Sequence, residues 1–163
     1  MFNEDFHCNP PQTRHDARET ALQVLYALEI SGNSMTAVLG DLLPKCPSPP
    51  QALDFSKKII ELTFGDRKEL DEYIRKYSAN WKFERIALLD LIIMRMAICE
   101  LLNFYDVPPK VSIDEALELA KRYSTYKSSG FINGILDAIL LDLKKSNMII
   151  KTGRGKQTKP TKK

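Results

Sequence analysis

The sequence predicts an all-α protein, and three observations support that prediction. Apolar residues recur at helical spacing in one segment after another, no segment shows the two-residue alternation of a strand, and glycine is scarce, with 7 among 163 residues. The hydrophobic fraction of 44% and the charged fraction of 28% are typical of globular chains. We therefore expect an irregular leader over residues 1–12 and one helical domain over residues 13–143, a compact bundle of about seven helices.

The predicted helices are separated by breaks rich in glycine and proline. Their expected ranges are 13–30, 35–43, 51–64, 66–77, 83–104, a sixth helix that begins at Ser112, and 129–143. The segment 83–104 is apolar nearly all round, which is typical of a helix that neighbours bury on several sides. Ser112 and Glu115 have the spacing of a capping box, and this spacing predicts the start of the sixth helix.

Positive charge is concentrated at the C-terminal end of the sequence. Residues 144–163 contain eight basic residues and no acidic one, which leaves 16 basic against 21 acidic residues in the first 143. We expect a basic, disordered tail over 144–163, which raises encounter rates with nucleic acid without sequence preference. A solvated, solubilising terminus is the alternative interpretation.

The sequence favours a non-catalytic cytoplasmic protein without a cofactor. Three cysteines without paired spacing, no secretory leader and no uninterrupted apolar span indicate a reducing compartment and no membrane insertion. His7 and Cys8 lack further ligands at usable spacing, so no metal site is expected. The glycines at 153 and 155 lack the flanking strand and helix of a phosphate loop, and no nucleophile elbow is present.

The first helix contains a candidate platform for RNA. At about 100° per residue, Tyr26 projects roughly opposite the apolar stripe, His15 lies within about 20° of Tyr26, and Arg18 flanks them. An exposed aromatic ring with basic companions can stack an unpaired base and hold its phosphates. A solvated helix face with one stray tyrosine is the alternative. Tyr77 lies on the apolar stripe of its own helix, where a core position is expected.

Four segments resemble the NusB family of transcription antitermination factors. They are ARETALQVLY at 17–26, MRMAICEL at 94–101, DVPPKVSIDEALELAK at 106–121 and FINGILD at 131–137, with Trp81 and Asp90 at matching distances before the second. In this order the resemblance covers about residues 13 to 143. It implies an all-α fold of two packed helical subdomains.

The resemblance also implies a function and a set of binding residues. Family members bind the single-stranded boxA element of ribosomal RNA leader transcripts together with NusE, a small-subunit ribosomal protein, and act on the RNA polymerase elongation complex. The implied RNA contacts are Arg14, His15, Arg18, Tyr26 and Tyr77, with Lys127 standing where the family often has an acidic residue and adding to RNA attraction. The implied NusE contacts are Asp90, Phe131 and the loop from Tyr126 to Gly130.

Two other functions are open at this point. Similar domains serve as RNA-binding appendages of RNA cytosine methyltransferases, but this sequence ends about twenty residues after the last predicted helix, so no methyltransferase domain is expected. A structural homodimer whose apolar surface serves assembly alone is the second alternative. Light scattering with and without boxA RNA would distinguish it from an RNA-binding adaptor.

Overall fold

The structure is a computed structural model that describes residues 10–43, 48–149, 151–152 and 156–157. The described residues form seven α-helices, which confirms the all-α prediction. They are α1 (Arg14–Ser31), α2 (Met35–Leu42), α3 (Pro50–Gly65), α4 (Arg67–Tyr77), α5 (Leu88–Asn103), α6 (Pro109–Tyr123) and α7 (Tyr126–Lys145). Most of the expected bounds differ from these by one to three residues.

Three of the expected helix starts are wrong, those of the fifth, sixth and seventh helices. The seventh helix begins at Tyr126 and not at Ser129, so the segment from Tyr126 to Gly130, expected to be a loop, belongs to α7. The fifth predicted helix is divided, because Phe83–Arg85 form a separate 3-10 turn and the two residues after it are extended before α5 begins. The sixth helix begins at Pro109 and not at Ser112. Proline is suited to the first helical position because its fixed φ is preorganised there and its missing N–H is not needed. Ser112 is buried inside α6, where its hydroxyl donates to Glu100 Oε1 at 3.3 Å.

The chain divides into two compact units, and the division falls within α3, between Glu61 and Leu62. In the first unit α2 packs against α1, and the Ser56 hydroxyl of α3 donates to the Ala17 carbonyl of α1 at 3.1 Å. Thr13 caps the start of α1. Gly32 ends the helix in the left-handed conformation, with φ of +65°, which a residue with a side chain rarely adopts.

In the second unit α5 is the central helix, and it packs against α4, α6 and α7. All 13 residues from Leu89 to Leu101 are buried, which confirms the prediction that neighbours cover this segment on several sides. Three of these buried residues are charged: Asp90, Arg95 and Glu100. At about 100° per residue, Arg95 projects about 140° from each of the other two, and Asp90 and Glu100 project about 80° from one another. Each therefore faces a different neighbouring part of the unit.

Those three charged residues each have a polar partner. Asp90 accepts from Ser124, just after α6, and from Ser128 of α7. Arg95 donates to both carboxylate oxygens of Asp71 in α4, at 2.7 and 2.8 Å, and Glu100 accepts from Ser112 of α6. Because an unpaired buried charge is strongly unfavourable, these contacts fix which side of α5 each neighbour covers.

The second unit continues past α7 to at least Ile149. Asn147, with φ of +54°, follows the C-cap residue Ser146, and the Met148 N–H donates to the Leu143 carbonyl at 2.9 Å. This is the bonding pattern of a Schellman motif, and Ile149 after it is buried. The predicted tail boundary at 143/144 is therefore too early.

Beyond Ile149 the structure describes only a two-residue antiparallel ladder, in which Lys151 pairs with Gln157 and Thr152 with Lys156. The sequence did not predict this pairing. The predictions for residues 1–9, 150, 153–155 and 158–163, including His7 and Cys8, lie outside the described residues.

Candidate functional site

The start of α1 is fixed by a capping box that the sequence analysis did not identify. The Thr13 hydroxyl accepts from the Asp16 N–H at 3.1 Å, and Asp16 Oδ2 accepts from the Thr13 and Gln12 N–H groups, each at 3.0 Å. Desolvation by burial raises the pKa of Asp16, but these two backbone donors and the Thr13 side chain outweigh it, and the pKa lies below its usual value. Asp16 is thus a capping residue beside the predicted RNA contacts.

Arg14 and Arg18 both lie over the ring of Phe55 in α3. Their guanidinium carbons are 4.8 and 5.0 Å from the ring centroid, within the range of a cation–π interaction. Arg14 is exposed, whereas Arg18 is only 3% exposed. The prediction that Arg18 flanks Tyr26 on an exposed face is therefore wrong.

The physical reason for the burial of Arg18 is its position on the apolar stripe. Leu22 and Leu25 follow Arg18 at spacings of four and seven residues, and both are buried. Arg18 therefore faces the interior of its unit, where the Phe55 ring covers its guanidinium.

His15 and Tyr26 differ in exposure. His15 is exposed and lies 3.8 Å from Glu19, one turn further along α1. Tyr26 is half-buried, so the expected outward projection of its ring is only partly correct. Eleven residues of helix separate the two side chains by about 16 Å along the axis. They cannot contact the same base.

Tyr77, at the last position of α4, is half-buried and lies within a polar cluster. Lys76 Nζ is 5.3 Å from the Tyr77 ring centroid and donates to Asp142 Oδ2 of α7 at 3.1 Å. Hydrogen bonds with Lys76 and with Tyr77 lower the pKa of the Asp142 carboxyl. The predicted core position of Tyr77 is therefore correct only in part, because one side of the residue is accessible.

Asp90 lies at the centre of a hydrogen-bonded network at the α6–α7 junction. Its Oδ1 accepts from the Ser124 hydroxyl at 2.6 Å and its Oδ2 accepts from the Ser128 hydroxyl at 2.8 Å. Thr125, the N-cap of α7, accepts from the Ser128 N–H at 3.2 Å. Asp90 is 6% exposed, so it lies beneath the predicted partner surface and not on it.

Aromatic residues are exposed around this junction. Tyr126, which follows the N-cap, is 86% exposed, and Lys127 next to it is exposed as well. Half-buried Phe131 packs edge-to-face against Trp81, with ring centroids 5.5 Å apart, and Trp81 itself is 62% exposed. Exposed tryptophan and tyrosine are typical of the energetically dominant residues of protein interfaces.

Sequence analysis missed Trp81 and Ser124 as members of this site, and it included Ser128 only as part of the segment from Tyr126 to Gly130. Trp81 was used only for its distance from the second segment that resembles the family. Its position between predicted helices, next to the polar residues Asn80 and Lys82, was nevertheless a signal of exposure. Nothing in the sequence indicated that Ser124 and Ser128 donate to Asp90, since Asp90 is 34 and 38 residues away from them.

The part of the chain that the structure describes contains neither a metal-binding cluster nor a membrane-spanning helix. No cluster of three or more His, Cys, Asp or Glu side chains there could hold a metal ion. No helix there has the length and apolar character that crossing a membrane requires. Burial raises the pKa of the Cys99 thiol to about 11, so this cysteine is predominantly protonated at neutral pH.

Comparison with known proteins assigns the chain to a family. The family model described as NusB matches residues 15–141. The chain belongs to the NusB family. A curated relative from Salinibacter ruber, named transcription antitermination protein NusB, is 45% identical over 144 residues, which cover 88% of this chain and 90% of the relative. The resemblance stated from the four sequence segments is thus confirmed.

Two solved structures of NusB proteins share the fold. T. maritima NusB superposes with a TM-score of 0.75 at 30% identity, covering 81% of this chain and 93% of that one. A structure of the antitermination factors NusB and NusE in complex with double-stranded RNA matches with a TM-score of 0.68 at 25% identity, over 79% of this chain and 96% of the other.

Proposed function

We propose that this member of the NusB family is a non-catalytic transcription antitermination factor. It binds the single-stranded boxA element of ribosomal RNA leader transcripts together with NusE, and through them acts on the RNA polymerase elongation complex. The observation that carries the proposal is membership of a family whose curated relative is named an antitermination protein. A related chain with the same fold has been solved with NusE and RNA, which supports both partners.

The first proposed RNA surface is the exposed side of α1. Arg14 supplies positive charge at the helix start, and its contact with Phe55 limits the freedom of the guanidinium before RNA arrives. His15 and the accessible part of the Tyr26 ring provide a hydrogen-bonding group and a stacking surface. Arg18 has an indirect role in this proposal. It is buried and packs on the same Phe55 ring that Arg14 contacts.

The second proposed RNA contact comes from the second unit. Lys127 is exposed and adds positive charge next to Tyr126, and the accessible edge of Tyr77 offers a further aromatic surface. Phosphate contacts of this kind supply affinity without sequence information, whereas base stacking and contacts to base edges supply the preference.

The proposed NusE surface consists of Tyr126, Phe131 and Trp81. The exposed rings of Tyr126 and Trp81 are suited to act as anchors that enter pockets of a protein partner. Each of the two ligands then raises the affinity for the other by the same factor.

The central test is titration of boxA RNA with and without NusE at two salt concentrations, using wild-type protein and Tyr26→Asp. Loss of a stacked base removes about 1–3 kcal/mol of binding free energy, so the variant should bind boxA roughly 5- to 150-fold more weakly. Tyr26→Leu is a second variant that removes the ring and keeps an apolar side chain at a half-buried position. Circular dichroism verifies that both retain helical content.

The matched control is Tyr126→Ala. Tyr126 is exposed in the second unit, and we expect this variant to weaken NusE binding while boxA affinity in the absence of NusE stays unchanged. Unchanged boxA affinity in both Tyr26 variants would remove the stacking surface from the proposal. A stable homodimer in light scattering that neither RNA nor NusE dissociates would instead favour the assembly function.

Single- and double-stranded RNA need to be compared directly, because the related complex contains double-stranded RNA. We expect the single-stranded boxA oligonucleotide to bind more tightly than its duplex, since an unpaired base exposes its face and edges to side chains and a paired base does not. Equal affinity for both forms would indicate that phosphate contacts dominate and that Tyr26 stacks no base.

The basic tail is proposed to add RNA affinity without sequence preference. The cut belongs after Ile149, because residues up to that position are part of the folded second unit. Removal of residues 150–163 deletes six basic residues and no acidic one. The truncated protein should bind all RNAs more weakly by a similar factor, with a smaller dependence on salt. A loss confined to boxA would contradict this role.

A further inference from the structure

The hydrogens in the network around Asp90 can be assigned once the carboxylate is taken as the acceptor. An ionised carboxylate only accepts, so Ser124 and Ser128 both direct their hydroxyl hydrogens at Asp90, at 2.6 and 2.8 Å. The Ser128 oxygen then accepts from the Thr125 hydroxyl at 2.9 Å, and Thr125 accepts in turn from the Ser128 N–H. Each hydroxyl hydrogen has one acceptor, and each carboxylate oxygen accepts one serine hydroxyl.

This network sets the direction of the chain at the proposed interface. Ser124 is the C-cap residue of α6 and Thr125 the N-cap of α7, so the turn between the two helices is bonded to one carboxylate of α5. The next two residues, Tyr126 and Lys127, are exposed. Their positions depend on the same turn, because they form the first two helical positions of α7.

We propose that Asp90 is a positioning residue, which holds the α6–α7 turn so that Tyr126 and Lys127 present their side chains to NusE and RNA. This inference rests on the proposed function. Asp90 acts through Ser124 and Ser128 and makes no contact with either partner. Direct pairing with a cation of NusE would require that cation to reach a carboxylate that is only 6% exposed.

Asparagine is a matched control for this proposal. In Asp90→Asn the amide oxygen still accepts from Ser124, and the amide nitrogen donates to Ser128. The Ser128 hydroxyl can then donate to Ser124, whose oxygen is 3.1 Å away. The substitution therefore removes the negative charge and keeps the turn connected. In Asp90→Ala, and in the double variant Ser124→Ala with Ser128→Ala, the turn loses its connection to α5.

The experiment measures NusE affinity of the full chain, with and without boxA RNA. We expect Asp90→Asn to bind within about threefold of wild type, and both Asp90→Ala and the double serine variant to bind about tenfold more weakly, a loss of about 1.4 kcal/mol. Adding Asp90→Ala to the double serine variant should weaken binding no further, because the carboxylate acts through those hydroxyls. The salt dependence of NusE binding should be the same in all variants.

Three outcomes would overturn the proposal in favour of a direct ion pair. Asp90→Asn could weaken NusE binding as much as Asp90→Ala, the triple variant could bind more weakly than the double serine variant, or the salt dependence of binding could differ between variants. Amide hydrogen exchange of the free protein supplies a readout that needs no partner: the Ser128 amide should exchange faster in Asp90→Ala and not in Asp90→Asn. Unchanged exchange in Asp90→Ala would also overturn the proposal. If wild-type protein binds neither NusE nor boxA RNA, the proposed function fails, and the exchange result still decides whether Asp90 holds the turn.

Discussion

The start of α1 and the interior of α5 stabilise charged side chains in opposite ways. At the start of α1, Asp16 accepts hydrogen bonds from residues three and four positions away, and its neighbour Arg14 remains exposed. In α5 the charged residues are buried, and their partners lie between 12 and 38 residues away in sequence. The charge of Asp16 is stabilised by local contacts, and the charges of α5 are stabilised by the packing of four helices.

This difference shows what the two regions contribute to binding. Arg14 and His15 at the start of α1 are exposed, unlike Arg18 further along the helix, so this region suits direct contact with phosphates. The charged groups of α5 are bonded to partners within the fold. They affect the surface only through the positions of the residues that they contact. The following predictions test that distinction by comparing what each interaction contributes to stability.

The largest effect is expected for the buried pair of Arg95 and Asp71. Arg95→Ala leaves the Asp71 carboxylate without its bidentate partner, and removal of one member of a buried pair typically costs about 3–5 kcal/mol. Urea unfolding followed by circular dichroism measures this loss. We expect the second unit to unfold at markedly lower urea concentration.

The control for that prediction replaces both partners. Arg95→Met combined with Asp71→Leu removes two charges together, and apolar replacement of a buried pair is often neutral or stabilising. The double variant should therefore be much more stable than Arg95→Ala. If the two are equally unstable, the charge is not the cause, and lost packing of the arginine side chain explains the effect.

A smaller effect is expected for Ser128→Ala at the α6–α7 junction. The variant removes one of the two hydroxyl donors to the buried Asp90 carboxylate, and an unsatisfied buried polar group costs about 1–3 kcal/mol. The free energy of unfolding in urea gives the value. Ser129→Ala is the control, because its hydroxyl donates to the carbonyl of Tyr126, three residues earlier, at an exposed site, and it should change stability little.

How far the fold could be predicted from sequence follows from the same distinction between local and long-range interactions. The helical spacing of apolar residues predicted seven helices, since that signal is contained within each segment. The start of α6 was wrong because Ser112 and Glu115 have the spacing of a cap, while the serine in fact bonds to Glu100 of another helix. A pattern of four residues cannot reveal such a partner.

The candidate site was predicted in part for the same reason. The exposure of Arg14, His15 and Lys127 agrees with the sequence interpretation, and their roles in RNA binding stay predictions. The burial of Arg18 could have been found from its spacing to Leu22 and Leu25. The hydrogen-bond partners of Asp90 could not be found in this way, because Ser124 and Ser128 are 34 and 38 residues away in sequence.

In the first unit we expect Thr13→Ala to cost about 1 kcal/mol, the typical contribution of an N-cap side chain. The loss should be confined to the start of α1, where the Asp16 N–H loses its acceptor. Hydrogen exchange localises the effect, and Thr13→Ser, which keeps the hydroxyl, should restore protection. Faster exchange throughout α5 would show that the capping box is not a local feature.

The smallest effect is expected for Ser56→Ala, which removes a long-range hydrogen bond near the start of α1. The Ser56 hydroxyl donates to the Ala17 carbonyl at 3.1 Å in a buried position, as Ser128 does to Asp90. The two acceptors differ in what remains after the substitution. The Ala17 carbonyl lies inside α1 and still accepts a hydrogen bond from the helix backbone, whereas the charged Asp90 depends on its hydroxyl donors. Ser56→Ala should therefore lower the free energy of unfolding by about 0.5–1 kcal/mol, less than Ser128→Ala measured under the same conditions. A larger loss for Ser56→Ala would reverse the comparison, since the first unit would then depend on a long-range bond as strongly as the second depends on the charges of α5.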